Sequence, residues 1–146
     1  MKTTLILALA LLAPTLVLRA ADTPGAPASP SVAKNSRCFE LRTYTAAPGK
    51  FEALHARFRD HTSKLFVKHG MKVVGYWVPA DADQGATNTL VYLLAHKSRE
   101  AAKKSWDAFR NDPVWLKAKS ETEVNGKLAE KVESVFLSAT DYSPMK

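Results

Sequence analysis

The sequence predicts one α+β domain of the ferredoxin-like class, with the element order βαββαβ and a four-stranded antiparallel sheet. Three observations predict it: apolar residues alternate over 38–44, they recur every three or four residues over 51–65, and a turn-rich loop then separates two apolar strands. The chain has 146 residues, 46% of them hydrophobic, and a single cysteine. That length and composition allow one packed domain, and one cysteine cannot form an internal disulfide.

A change of period separates the first strand from the first helix. One face of the strand at 38–44 carries Phe39, Leu41 and Thr43, and the other carries Glu40, Arg42 and Tyr44. The helix stripe consists of Phe51, Leu54, Phe58, Thr62 and Leu65. We expect this helix to run to about His69 and to end at Gly70, which favours a left-handed conformation.

The second half of the chain supplies the other elements. Residues 71–78 and 89–95 read as strands that pair as a hairpin across the loop at 79–88. Ser98 is a suitable N-cap for a helix to about Asn111, and Asp112 followed by Pro113 starts a short helix that ends around 125–126. Residues 131–139 form the last strand.

Several of these strands are apolar on both faces. The helices of so short a chain can cover one face of the sheet, and a large apolar face left in water is an association site. The sequence therefore predicts a homodimer packed sheet to sheet.

The N-terminus has the pattern of a targeting segment. Residues 1–21 combine a basic start, an apolar run and small residues at the end, which is typical of a secretory signal peptide. A retained membrane anchor is the alternative, but the run is shorter than the ~20 residues a spanning helix needs and contains Pro14. We expect a Pro/Ala/Ser linker at 22–36, a domain at 37–146, and a periplasmic or secreted protein without a transmembrane anchor after cleavage.

The first strand offers the best candidate ligand-binding residues. With Phe39 and Leu41 facing the helices, Glu40, Arg42 and Tyr44 would face the dimer interior, where the guanidinium could orient a carboxylate. The alternative is an ion pair of Arg42 with Glu40 or with Glu133 that fixes the strands. Trp77 and Tyr92 would add aromatic walls if their faces coincide; otherwise they are ordinary core residues.

Three histidines, at 55, 61 and 69, lie in the first helix. Their spacing places them too far apart to bind one metal ion, so we predict no metal site. His61 lies at the edge of the apolar stripe and is the weak candidate for a general base or ligand; a buried, hydrogen-bonded histidine is the alternative.

The first helix also carries a basic row, formed by Lys50, Arg57, Lys64 and Lys68. It could meet an anionic surface, but it lacks interleaved aromatics, so a solvated helix face explains it and we expect no nucleic-acid partner. Cys38 is expected to be a half-buried strand residue.

Four segments resemble the NIPSNAP family: FELRTYTAAPGKFEAL at 39–54, KHGMKVVGYW at 68–77, LVYLLA at 90–95 and KVESVFLSATDYSP at 131–144. The Asp112-Pro113-x-Trp115 segment strengthens the resemblance. It implies a dimeric α+β barrel, in which two ferredoxin-like subunits join their sheets, and it implies no established reaction.

The expected function is that of an exported, homodimeric module that binds a small molecule in the barrel interior or another protein, with no cofactor. The fold superfamily also includes antibiotic-biosynthesis-type monooxygenases and haem-linked enzymes. The alternative is therefore an oxygenase, cofactor-independent or with haem, that uses His61 and the Arg42–Tyr44 face.

Overall fold

The computed structural model describes residues 29–146. The expected signal peptide at 1–21 and the first part of the expected linker, residues 22–28, lie outside the described residues. The elements are β1 (Cys38–Ala46), α1 (Phe51–Arg57), a π-helical turn (Phe58–Thr62), α2 (Ser63–Lys68), β2 (Lys72–Trp77), a 3₁₀ turn (Ala82–Gln84), β3 (Thr89–His96), α3 (Arg99–Arg110), α4 (Pro113–Thr122) and β4 (Ala129–Ser138).

The four strands form one antiparallel sheet in the order β2-β3-β1-β4. This is the ferredoxin-like βαββαβ arrangement, so the predicted fold class is confirmed. The apolar core lies between the sheet and the helices, where Phe66, Tyr92 and Leu94 are fully buried.

The predicted first helix is present, but a π-helical turn divides it. The predicted stripe is buried in the core at Leu54, Phe58, Thr62 and Leu65. The backbone N–H of Ser63 donates to the carbonyl of Phe58, five residues earlier, which is the bond of a π-turn.

Both predicted helix starts in the second half are confirmed. The Ser98 hydroxyl accepts from the backbone N–H of Ala101 at 3.1 Å, and an Asp112 carboxylate oxygen accepts from that of Val114 at 2.8 Å. Pro113 occupies the first turn of α4, where its missing N–H costs no helical hydrogen bond. The helix ends at Thr122, a few residues earlier than expected.

The orientation expected for β1 was wrong. Glu40, Arg42 and Tyr44 face the helices, since Glu40 accepts a hydrogen bond from Trp106 in α3 and Tyr44 packs on Phe58. Hydrophobicity alone misled the assignment because Glu40, although charged, is buried on the helix face, where it accepts hydrogen bonds.

The opposite sheet face, here called the open face, bears the residues predicted to meet the helices. Leu41 pairs there with Leu93 of β3 and with Val135 of β4. Three of its large apolar side chains are more than 40% exposed: Trp77, Val135 and Leu137. Among residues 29–146, this face is therefore apolar and exposed in part.

The folded part starts before Arg37, within the expected linker. Asp141 donates its backbone N–H to the carbonyl of Ser31 at 2.8 Å, and Ala139 donates to the Ser36 hydroxyl at 2.7 Å. Residues 31–36 thus pair with the C-terminal segment. Within residues 29–146, no helix has the length and apolarity required to span a bilayer.

Candidate functional site

A cavity of about 240 Å³ lies between the sheet and the helices, and we call it the helix–sheet cavity. Its walls include five aromatic side chains: Tyr44, Phe58, Phe66, Phe109 and Trp115. Its polar lining residues are Arg57, Thr62, Lys119, Glu123 and Lys127. Apolar walls with a few polar groups are the usual composition of a small-molecule site.

The π-helical turn leaves a free hydroxyl in this cavity. A threonine in an α-helix commonly donates to the carbonyl four residues earlier, which for Thr62 is that of Phe58. Ser63 occupies this carbonyl instead, with its backbone N–H and with its hydroxyl at 2.7 Å. Thr62 is 2% exposed, and its hydroxyl is buried without a hydrogen-bond partner at the wall of the cavity.

Arg57 brings a buried positive charge to the same cavity. One terminal nitrogen donates to Glu123 of the segment after α4 at 2.7 Å, and the guanidinium lies 5.2 Å from the ring centre of Trp115. Its Nε is buried without a partner. An ion pair therefore fixes the guanidinium, while one of its N–H groups has no partner.

Behind the cavity, Glu40 is the centre of a buried hydrogen-bond network. Its Oε1 accepts from Arg42 at 2.7 Å and from Ser134 at 2.8 Å; its Oε2 accepts from Trp106 at 2.7 Å and lies 3.0 Å from His96 Nε2. Burial alone would raise the pKa of Glu40, but the hydrogen bonds, led by that of His96, outweigh burial and lower it to about 2.

Arg42 makes contacts through both of its terminal nitrogens. The guanidinium lies 4.3 Å from the ring centre of Trp106, and its second terminal nitrogen is 3.5 Å from the Tyr44 hydroxyl. The ring of Tyr44 packs edge-on against Tyr92 and lines the helix–sheet cavity. The Arg42–Glu40 ion pair considered from the sequence is thus present, whereas Glu133 pairs with Lys131.

The structure does not bring all the predicted site residues together. Tyr92 is fully buried in the core on the helix face, and burial raises its pKa, so its hydroxyl keeps its proton. Trp77 pairs with Val91 on the open face and is half exposed. The faces of Trp77 and Tyr92 therefore do not coincide.

His61 is half-buried in the π-turn and makes no side-chain hydrogen bond within the described part of the chain. It does not line the helix–sheet cavity. It also does not line a second cavity, which lies beside β2 and is described below. The expected basic row is also divided, because Arg57 is buried and ion-paired while Lys64 is exposed. Neither a paired His61 nor a uniform solvated basic face is observed.

The helix–sheet cavity lacks the axial ligands that most haem proteins use, because none of its lining residues is a histidine, cysteine or methionine. Tyrosine is a rarer axial ligand, and Tyr44 is the tyrosine in this lining. Among residues 29–146, no cluster of three or more His, Cys, Asp or Glu side chains could hold a metal ion.

Sequence reasoning missed the residues that define the cavity best: Arg57, Thr62 and Trp115. The sequence did contain a signal for Thr62, because it is the polar member of an otherwise apolar helix stripe. Trp115 was part of the motif that carried the family resemblance but was not assigned to a site.

Fold and cavity together define a ferredoxin-like α+β protein with a cavity between its helices and its sheet. The sequence profile of the NIPSNAP family matches residues 39–144. The chain therefore belongs to the NIPSNAP family, as its motifs suggested.

Solved structures agree with this assignment. A NIPSNAP family protein of unknown function from Agrobacterium tumefaciens is 22% identical, with a TM-score of 0.68 over 80% of this chain and 99% of that one. An uncharacterised NIPSNAP-like domain protein from Burkholderia xenovorans is 16% identical, with a TM-score of 0.64 over 75% and 90%. At these identities the likeness shows the fold alone. No curated protein matches the chain.

Proposed function

We propose that this protein binds a small planar molecule in the helix–sheet cavity. The observation that carries the proposal is the pair of buried, unpartnered donors lining it, the Thr62 hydroxyl and the Arg57 Nε. A buried polar group without a partner costs about 1–3 kcal/mol, so a ligand that satisfies both donors recovers that free energy.

The lining residues define the chemistry of the ligand. Aromatic walls favour a flat ring, and the two free donors require an acceptor oxygen. Three of the lining side chains are basic and one, Glu123, is acidic, which favours a carboxylate over a neutral carbonyl. The volume of about 240 Å³ lies below the roughly 300–1,000 Å³ of drug-sized pockets. We therefore expect a compact aromatic acid.

Nitrogen-15 NMR of the tryptophan side chains tests this directly. The protein has three tryptophans, of which Trp115 lines the cavity and Trp106 donates to Glu40 outside it. Titration with single-ring aromatic acids, starting with benzoate, is expected to shift the Trp115 indole N–H signal and to leave that of Trp106 in place.

A matched pair of variants identifies the hydroxyl. Thr62→Val keeps the shape and removes the donor, which should weaken binding about fivefold, as expected for one hydrogen bond. Thr45→Val is the control, because Thr45 pairs with Thr89 and Lys131 on the open face. A panel that leaves the Trp115 signal unmoved, or an equal affinity of Thr62→Val and wild type, would contradict the proposal.

The homodimer and the export belong to the same proposal. The open face exposes Val135 and Leu137, and the same face of a second copy would cover them by burying apolar surface. The apolar N-terminal run supports secretion. Native mass spectrometry of protein recovered from the culture medium or the periplasm is expected to show a dimer of chains shortened by about 20 residues; an intact chain or a monomer would contradict these parts.

A further inference from the structure

A second cavity, of about 430 Å³, lies between the first helix and the edge strand β2. The helix contributes His55, Arg59 and Ser63, and the strand contributes Tyr76 and Trp77. Phe58 lines this cavity and the helix–sheet cavity as well. We call it the β2-edge cavity.

We propose that the β2-edge cavity is a second binding site, specific for an aromatic carboxylate. Its lining residues include two basic side chains, His55 and Arg59, and no acidic one. Among the residues that the structure describes, Arg59 takes part in no ion pair. An uncompensated guanidinium at the rim of an apolar cavity favours an anion, because its planar donors match a carboxylate.

The walls of this cavity favour a flat ring. Phe58 and Tyr76 meet edge to face at 5.8 Å between ring centres, and the Trp77 side chain is half exposed. A bound ring would pack against Phe58 and the exposed part of Tyr76, which stabilises the complex.

Hydrogen bonds hold the Tyr76 wall in place. The Ser63 hydroxyl donates to the Phe58 carbonyl at 2.7 Å, so its 2.8 Å contact with the Tyr76 hydroxyl has Tyr76 as the donor. Because the π-turn brings Ser63 to the Phe58 carbonyl, one local irregularity shapes both cavities. A preformed wall lowers the entropy that binding must remove.

The site does not depend on the proposed function, since its charged residues and its tryptophan differ from those of the helix–sheet cavity. The probe is 2-naphthoate, compared with 2-naphthol, which has the same ring system and no carboxylate. The readout is again the three indole N–H signals, assigned with Trp77→Phe and Trp115→Phe. We expect 2-naphthoate to shift the Trp77 signal and to bind more tightly than 2-naphthol.

Arg59→Gln should weaken 2-naphthoate binding about fivefold, the upper end of what an exposed ion pair contributes, and should leave the affinity for 2-naphthol unchanged. The matched control is Arg110→Gln, which removes an exposed arginine of α3 that pairs with Asp107.

An unmoved Trp77 signal overturns the site, and so does a shift of Trp115 alone. Equal affinities for both probes, or an Arg59→Gln variant that binds like wild type, overturn the carboxylate specificity. A response at Trp77 without one at Trp115 would support this site while the proposal for the helix–sheet cavity fails.

Discussion

Replacing Glu40 by glutamine tests the buried network behind the cavity. The carboxylate accepts from Arg42 and Ser134 on one oxygen and faces His96 and Trp106 with the other. In Glu40→Gln an amide nitrogen replaces one oxygen, so the N–H of either Arg42 or Trp106 faces another donor. The variant also leaves the Arg42 guanidinium without its buried counter-charge.

The magnitude follows from two independent arguments. The pKa of Glu40 falls from 4.5 to about 2 on folding, which at about 1.36 kcal/mol per pKa unit corresponds to about 3 kcal/mol of stability. Removing one partner of a buried ion pair typically costs about 3–5 kcal/mol. We therefore expect Glu40→Gln to lower the free energy of unfolding by about 3 kcal/mol at pH 7.

The same pKa shift predicts a pH dependence. Because folding lowers the pKa of Glu40, its contribution is complete above the unfolded value of 4.5 and is lost as the pH falls towards 2. The difference in stability between wild type and Glu40→Gln should therefore shrink over that range. Urea denaturation followed by circular dichroism, at one protein concentration and several pH values, measures both effects.

Glu133→Gln is the matched control, because Glu133 is an exposed strand residue that pairs with Lys131 on the other face. Its effect should stay within about 0.5 kcal/mol. A Glu40→Gln variant that changes stability as little as the control does, or whose difference from wild type does not depend on pH below 4.5, would refute this role of Glu40.

Three further predictions concern a helix cap, the open face and a strand glycine. Ser98→Ala removes the acceptor for the Ala101 N–H and should cost about 1 kcal/mol of stability in urea denaturation, whereas Ser98→Asp should retain most of it. Val135→Asp places a charge on the open face and should convert the proposed dimer into a monomer in sedimentation analysis without altering the circular dichroism spectrum; a dimer that persists would argue against that interface. Gly75→Ala would place a Cβ 2.7 Å from the Trp77 ring, so the ring must move, and a fluorescence spectrum identical to that of wild type would contradict the position of Trp77.

The order of elements could be predicted because each rests on a local pattern. Ser98 and Asp112 mark helix starts through their own side chains, and the alternation at 38–44 specifies a strand without reference to any other part of the chain. The face that β1 turns to the helices could not be predicted in this way. Glu40 is buried there because His96, Trp106 and Ser134 supply its hydrogen bonds, and these partners lie 56 to 94 residues further along the chain. A single strand read by hydrophobicity alone places such a carboxylate on the wrong side.

Thr62 could be predicted from the sequence as a member of the buried helix stripe, but its unpartnered hydroxyl could not. A threonine in an apolar helix stripe is tolerated when its hydroxyl donates to the carbonyl four residues earlier, so the sequence pattern reads it as a core residue. Here the π-turn gives that carbonyl to Ser63 and leaves the Thr62 hydroxyl buried and unpartnered. Burying a hydroxyl without a partner lowers stability, and valine would fill the same volume without that cost. The π-turn and the threonine therefore make better sense together as parts of a binding site than as parts of a core, because a ligand oxygen in the cavity would supply the missing partner.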